Sequence, residues 1–514
     1  MFAVGNSCKR PLGGLAKRTY ASKLPEPQRN PKLPNTKLFI NNEWVDALSG
    51  KTFKSVNPTT GEVITEIQKG GKEDVDRAVQ AAKEAFKLGS PWRKMDASKR
   101  GVLINKFVDL MERDLVYLSS LEVLDCGKLY NTLMRTDVPT SGKNFRFYAG
   151  YADKNNGITA ALDGSFIAYT RHEPVGVAGL IAPWNFGVAF VSWKLAPALA
   201  AGCTAVFKPS QHSSLTALHL VQLMKEAGFP PGVVNLVPGG NEVGTALTEH
   251  PDVDKVSFTG STEIGKVVYR NGVDTMKRLT LQLAGKSPNI ILPDADLDQA
   301  VEHGHFAIFN NTGQCCTAGS RTFVHESMYE KFVEKSIARI KAVKVGDPFD
   351  LSTHQGPQTT EDQLNIILKM VELGKKEGAK LEIGGNRVDR PGFFMEPTLF
   401  SDMKDDMTIA QEEIFGPVQQ IFSYKTLDEV IERANNTQYG LASSVFGQNI
   451  DQINTIAQGM RAGLVWINCY HAILPQAPFG GYKMSGLGRE GGIYGMEEFT
   501  EVKSVIMKTP TKNS

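Results

Sequence analysis

Cys315 and Cys316 stand side by side in FNNTGQCCTAGSRTFV, residues 309–324, among Gly, Thr, Ser and Gln. Structural cysteines favour apolar surroundings. This small, polar setting favours a reactive thiolate instead, with an inert buried thiol as the alternative. A second candidate is APWNFG, residues 182–187, where Asn185 follows a tryptophan at the turn after an apolar run. Its amide could donate to an oxyanion developing on a substrate carbonyl, or simply satisfy the turn. A third is VSFTGSTEIGK, residues 256–266. Gly260 lets a strand turn sharply and Ser261 or Thr262 can cap the following helix, whose free N–H groups would favour a phosphate. The pattern is not GxGxxG, and FTGS alone carries little. VPGG (237–240) offers a similar turn, and Lys208 in VFKPS could reach a phosphate or ribose, although a solvated lysine is the commoner case.

These residues fall where strands end. VAGLI (177–181), TAVF (204–207), VVNLV (233–237), VDKVSF (253–258) and RLTLQL (278–283) read as short buried strands. Helical runs lie between several of them, such as 211–227, closed by Gly228 with Pro230 just beyond. Apolar strands alternating with helices indicate a parallel sheet with both faces covered, the doubly wound layout that binds nucleotides. Upstream, LFINNEWV and the TTGEV turn read as a short strand pair. DVDRAVQAAKEAFKL reads as a helix with Asp74 as N-cap, and a second helix spans about 98–120. A second α/β stretch runs from about 286 to 480, beginning NIIL, with a long helix near 327–343. The tail EFTEVKSVIMK alternates like an edge strand and could pair with another subunit. In RLTLQL the alternation places Leu279, Leu281 and Leu283 on one face, and Arg278, Thr280 and Gln282 on the other.

At 514 residues, 41% hydrophobic and 22% charged, the chain has the make-up of an ordinary globular enzyme. A net charge of +2 without long single-sign runs gives no ground for a nucleic-acid or membrane-surface partner. Six scattered cysteines are not a disulfide framework, and the His303-Gly-His305 pair lacks further nearby ligands for a metal. The uncharged stretch 174–193 is long enough for a membrane span. Pro183, Trp184 and Asn185 at its centre make a strand, a turn and a buried helix the better reading. Residues 1–25 carry Lys9, Arg10, Lys17, Arg18 and Lys23, and no acid precedes Glu26. Basic, acid-poor leaders are typical of mitochondrial transit peptides, and Arg18-Thr19-Tyr20-Ala21 resembles a matrix-processing site. A basic tail without structure is the alternative. Cleavage after Tyr20 would remove four of the 57 basic residues and turn the net charge negative.

Taken together, APWNF, FTGST, TGQCC, EEIFGPV and PFGGYKMSG, in this order, resemble the NAD(P)-dependent aldehyde dehydrogenases, most closely the mitochondrial and cytosolic tetrameric class. The resemblance runs from about residue 36 to Ser514. It implies an α/β fold: a doubly wound parallel-sheet cofactor domain (21–155 and 175–284), a second α/β catalytic domain (285–484) and a small β oligomerisation element (156–174 and 485–514), behind a transit peptide (1–20). It implies a small-molecule aldehyde as substrate, a homotetramer or dimer, and the mitochondrial matrix as location. Cys316 would be the nucleophile, with Asn185 and the Cys316 backbone N–H holding the oxyanion. Ile181, Trp184, Lys208, Gly239, Gly260, Ser261, Glu413 and Phe415 match cofactor-contacting positions.

Four residues leave the family pattern close to the chemistry. Gln282 stands where the family has its general-base glutamate, in the form LELGGKSP, and an amide cannot accept that proton. Ala284 replaces a glycine two residues later. Gln211 replaces the glutamate that binds the adenine-ribose hydroxyls, which leaves NADP open beside NAD as cofactor. Asn310 replaces an aromatic of the aldehyde pocket, and with His471 it points to a more polar pocket. Two readings follow: a working but slow aldehyde dehydrogenase, or a catalytically silent paralogue kept for binding or structure.

Overall fold

Short apolar strands punctuated by helices have one economical arrangement, and the chain adopts it. In the computed structural model, which describes residues 24–511, five such strands are parallel and wholly or largely buried: Val177–Ile181, Thr204–Lys208, Val234–Leu236, Lys255–Thr259 and Arg278–Gln282. Val177–Ile181 comes first in the chain among these five. The chain then winds outward through Thr204–Lys208 and Val234–Leu236, and crosses back to lay Lys255–Thr259 and Arg278–Gln282 on the other side. The reversal opens a crevice at the strands' carboxyl ends, the usual ligand site of doubly wound sheets. Antiparallel strands close both edges, Leu38–Ile40 with Glu43–Val45 on one and Gly486–Leu487 on the other.

The second sheet follows at once. Its interior strand Pro288–Ile291 starts six residues after Gln282, flanked by parallel strands Arg321–His325 and Ala442–Phe446. Leu464–Ile467, Val418–Tyr424 and Thr398–Ser401 extend it in parallel, and Lys380–Ile383 adds an antiparallel edge. A third, antiparallel sheet pairs Thr500–Lys508 with Phe166–Pro174 and Thr159–Ala160. Val502 and Ile506 on its outer strand are exposed.

Several helix boundaries differ from expectation, through a local cap or a distant partner. The first helix spans Lys72–Phe86 with Gly71 at its cap, so Asp74 is the third helical residue; its Oδ2 accepts the Gly71 N–H at 3.1 Å, as the acid of a capping box does. The helix expected over 98–120 is two, Ala97–Arg113 and Leu115–Cys126. Between them Asp114 takes up Arg113 and the distant His219, each at 2.8 Å. The helix expected from 211 begins at Leu215, where the Leu215 N–H donates to buried Asp125 at 2.8 Å. The stretch 174–193 is indeed a strand, a turn and the start of helix Gly187–Ala201. Among the described residues no helix is long and apolar enough to cross a membrane. The expected transit peptide, residues 1–20, lies outside the described residues.

Gly486 pairs with Gln282 across the sheet edge at φ +138°, and a β-carbon there would lie 1.9 Å from the Leu281 carbonyl oxygen. Gly486→Ala is therefore expected to cost about 1–3 kcal/mol through strained backbone. Thermal unfolding should show a midpoint several degrees lower; an unchanged midpoint would contradict the close approach.

Candidate active site

Two cavities meet at Cys316, one of about 810 Å³ and one of about 260 Å³, and Gln282, Thr259 and Phe190 also line both. The cysteine sits after the short 3₁₀ turn Asn310–Gly313, in which Asn311 and Thr312 adopt left-handed φ values of 51° and 58°. The turn is held by its own side chain: Asn311 Nδ2 donates to the carbonyls of Asn185 (2.8 Å) and Gln314 (3.1 Å). Gly313 is obligatory here, because at φ +72° its β-carbon would lie 2.1 Å from the Gly416 backbone.

Asn185 is fixed from three directions. Its Nδ2 donates to the Gln314 carbonyl at 3.0 Å, and its own carbonyl accepts from Asn311 and, at 3.4 Å, from Lys128. Lys128 is itself buried, ion-paired to Asp137 and seated 3.7 Å from the Phe186 ring centroid. The amide thus lies beside the cysteine loop on a braced backbone, which suits a preorganised oxyanion donor.

The thiols of Cys315 and Cys316 hydrogen-bond one another. Sharing one proton between them makes the pair's first ionisation easier and its second harder. Thr317 adds to the first effect, its Oγ1 lying 3.2 Å from Cys315 Sγ. Burial instead pushes the thiols of Cys126 and Cys203 upward. Burial raises the Cys469 thiol as well, so among the described cysteines a lowered thiol occurs in the paired site alone, at Cys315.

The larger cavity lies along the carboxyl ends of the first sheet. Ile181, Trp184, Lys208, Gly260, Ser261, Glu413 and Phe415 line it. Gln211 and Gly239 are not among its lining residues: Gln211 Oε1 lies 3.2 Å from where a Gly240 β-carbon would be, and Gly239 packs against Val243. Ser261 caps helix Thr262–Asn271, accepting the Ile264 N–H at 3.3 Å, so the helix start opens on this space. Trp184 and Phe415 meet edge to face, centroids 5.4 Å apart. Burial lowers the Lys208 ammonium to about 8 and raises the Glu413 carboxyl to about 8, although the Gly285 N–H donates to Glu413 at 3.0 Å. A cavity with a helix start, a lysine and an aromatic pair fits a dinucleotide.

Gln282 is buried, its Nε2 donating to the Phe479 carbonyl at 3.4 Å while its Oε1 has no partner among the described residues. Asn310 and His471 both line the smaller cavity. Burial lowers the His471 imidazole, whose Nδ1 lies 3.3 Å from Thr317 Oγ1 and whose Nε2 lies 3.2 Å from the Ala307 carbonyl.

The aldehyde dehydrogenase family model matches residues 44–505. The chain is 56% identical to the mitochondrial aldehyde dehydrogenase of Homo sapiens over 493 residues, 96% of this chain and 95% of that one. The chain belongs to the aldehyde dehydrogenase family. It is also 54% identical to retinal dehydrogenase 2 of Homo sapiens over 493 residues, again 96% of this chain and 95% of that one. Among solved structures, the NAD+ complex of aldehyde dehydrogenase from Bacillus cereus superposes with a TM-score of 0.91 at 47% identity, covering 92% of this chain and 96% of that one.

Motif reading, then, singled out the cysteine at which the two cavities meet, the asparagine beside its loop and most of the larger cavity's wall. It missed Lys128, Asp137 and Asn311, which hold that asparagine. Asn311 sits inside the motif, and its left-handed backbone is a setting asparagine tolerates; Lys128 and Asp137 lie on separate elements with no local signal. Iodoacetamide at pH 7 should label Cys316 well before Cys126 and Cys203 in peptide mapping. Equal labelling of the three would contradict the ionisation assigned to the pair.

Proposed function

We propose that this chain oxidises a small aldehyde to the carboxylic acid through a thioester on Cys316, and that hydrolysis of the thioester is its slow step. One observation carries the second half: the side chain beside Cys316 in both cavities is an amide with an unpartnered oxygen, Gln282 Oε1. Cys316 thiolate attacks the aldehyde carbon, and Asn185 Nδ2 with the Cys316 N–H holds the resulting oxyanion. A bound nicotinamide dinucleotide supplies the hydride acceptor. We assign it to the larger cavity, with Trp184 and Lys208 on one side and Glu413 and Phe415 on the other.

Water must then cleave the thioester. The Gln282 oxygen can orient a water but cannot take its proton, and a missing positioned base costs roughly 10²–10⁴ in rate, about 3–5 kcal/mol of barrier. The fold tolerates the change, since glutamine keeps the shape of glutamate. NAD is the cofactor in the Bacillus cereus complex, and we carry it to this chain. Gln211 lacks the charge that would repel a 2′-phosphate, so NADP is admitted too. A mitochondrial location is supported by the naming of the relative above and by the basic residues 1–25. Assembly into a homo-oligomer is supported by the exposed outer strand Thr500–Lys508.

Rapid mixing with NAD and a short aldehyde should give a burst of about one NADH per Cys316, followed by slow turnover. Gln282→Glu should raise the steady rate at least tenfold. A protein that binds NAD yet shows no burst is a silent paralogue.

A further inference from the structure

Glu490 belongs to none of the motifs above, yet it is buried in the wall of the smaller cavity beside Gln282, Thr259 and Cys316. Its backbone is pinned to Phe479 in both directions, N–H to carbonyl at 2.7 Å and carbonyl from N–H at 2.6 Å. Its Oε1 accepts from Lys194 Nζ at 3.0 Å and from Ser257 Oγ at 3.2 Å. The Phe479 carbonyl that takes the Glu490 N–H also takes Gln282 Nε2. One carbonyl therefore holds the Glu490 backbone and the Gln282 side chain together. Each side chain ends in a buried oxygen without a hydrogen-bond partner among the described residues, Oε2 on Glu490 and Oε1 on Gln282.

A buried acceptor left unpaired costs roughly 1–3 kcal/mol, and a polar cavity that admits water removes the cost. About 260 Å³ holds several waters. The other carboxylates of the two cavities near the cysteine are engaged, Asp137 by Lys128 and Glu413 by the Gly285 N–H. Glu490 alone among these reaches the smaller cavity with one oxygen fixed and the other free.

We infer that Glu490 is the proton acceptor for thioester hydrolysis in this chain, acting through water held against Gln282 Oε1. The inference rests on the Cys316 thioester proposed above. Water on the Gln282 oxygen attacks the acyl carbon, forming a C–O bond, while its proton passes along cavity water to Glu490 Oε2. Collapse breaks the C–S bond, returns Cys316 as thiolate and releases the carboxylic acid; nothing is oxidised or reduced in this step. Lys194 and Ser257 act as positioning residues by fixing Oε1. The other titratable groups around Glu490 are Lys255, which is paired to Glu498 at 3.0 Å, and Tyr148, whose hydroxyl donates to the Gly492 carbonyl at 3.0 Å. Cys316, Asp137 and His471 line the same cavity.

The test compares burst and steady turnover, with NAD and propanal, in wild type, Glu490→Gln and Glu490→Gln with Gln282→Glu. Glu490→Gln should keep the NADH burst and lose at least tenfold in steady rate, and adding Gln282→Glu should restore that rate by supplying a base beside Cys316. A retained burst with an unchanged steady rate overturns the inference, as does failure of the added glutamate to rescue. Should Glu490→Gln lose its burst through misfolding, the wild-type pH profile decides. A steady rate that levels off between pH 6 and pH 10 supports an internal acceptor. One that climbs tenfold per pH unit throughout means attack by hydroxide and overturns it. A wild type with no burst fails earlier, at the thioester itself.

Discussion

The chain passes from its first sheet to its second in the five residues between Gln282 and Pro288, and the site is built around that crossing. An edge-side strand of one sheet ends where an interior strand of the other begins, which brings the crevice of the first sheet against the cysteine loop. Gly285 marks how close the two come: a β-carbon there would lie 2.4 Å from the Cys316 carbonyl oxygen. Ser485 fastens the crossing from outside, its hydroxyl donating to the Ala284 carbonyl at 2.7 Å and its own carbonyl accepting the Leu283 N–H at 2.9 Å. Residue 282 therefore has little freedom to move, and whatever side chain stands there is presented to both cavities.

Buried charge is arranged around this crossing in pairs rather than singly. Lys128 with Asp137 braces the Asn185 backbone, and Lys194 with Glu490 closes the floor of the smaller cavity. Isolated charges at such depth would be costly; each pair leaves one group able to act on the cavity or on its lining. Lys286 stands outside these pairs, an ammonium lowered to about 7 by burial and the nearby Arg321, with no hydrogen-bond partner among the described residues. Against that background, the amide of Gln282 brings no charge to the cavity and takes no part in the pairs that hold its shape.

Much of this was legible in the sequence, for a physical reason. Strands such as Val177–Ile181 declare themselves because both their faces are buried, and Ser261 declares itself because a cap must precede its helix. Resemblance then supplied roles for Cys316 and Asn185. What stayed hidden depends on distant partners. Asp114 splits a helix for the sake of His219, 105 residues away, and Glu490 finds Lys194 across 296 residues. Gln211 and Gly239 show the converse: resemblance put them at the cofactor, yet neither is among the residues lining the larger cavity.

The central claim is that Cys316 carries chemistry as far as the thioester and then waits for a poorly activated water. Intact-protein and peptide mass spectrometry, on enzyme quenched in acid during steady turnover with NAD and aldehyde, reads this directly. The account predicts that most chains carry one acyl group, mapped to Cys316. Chains found almost wholly unmodified, with turnover under way, would contradict it.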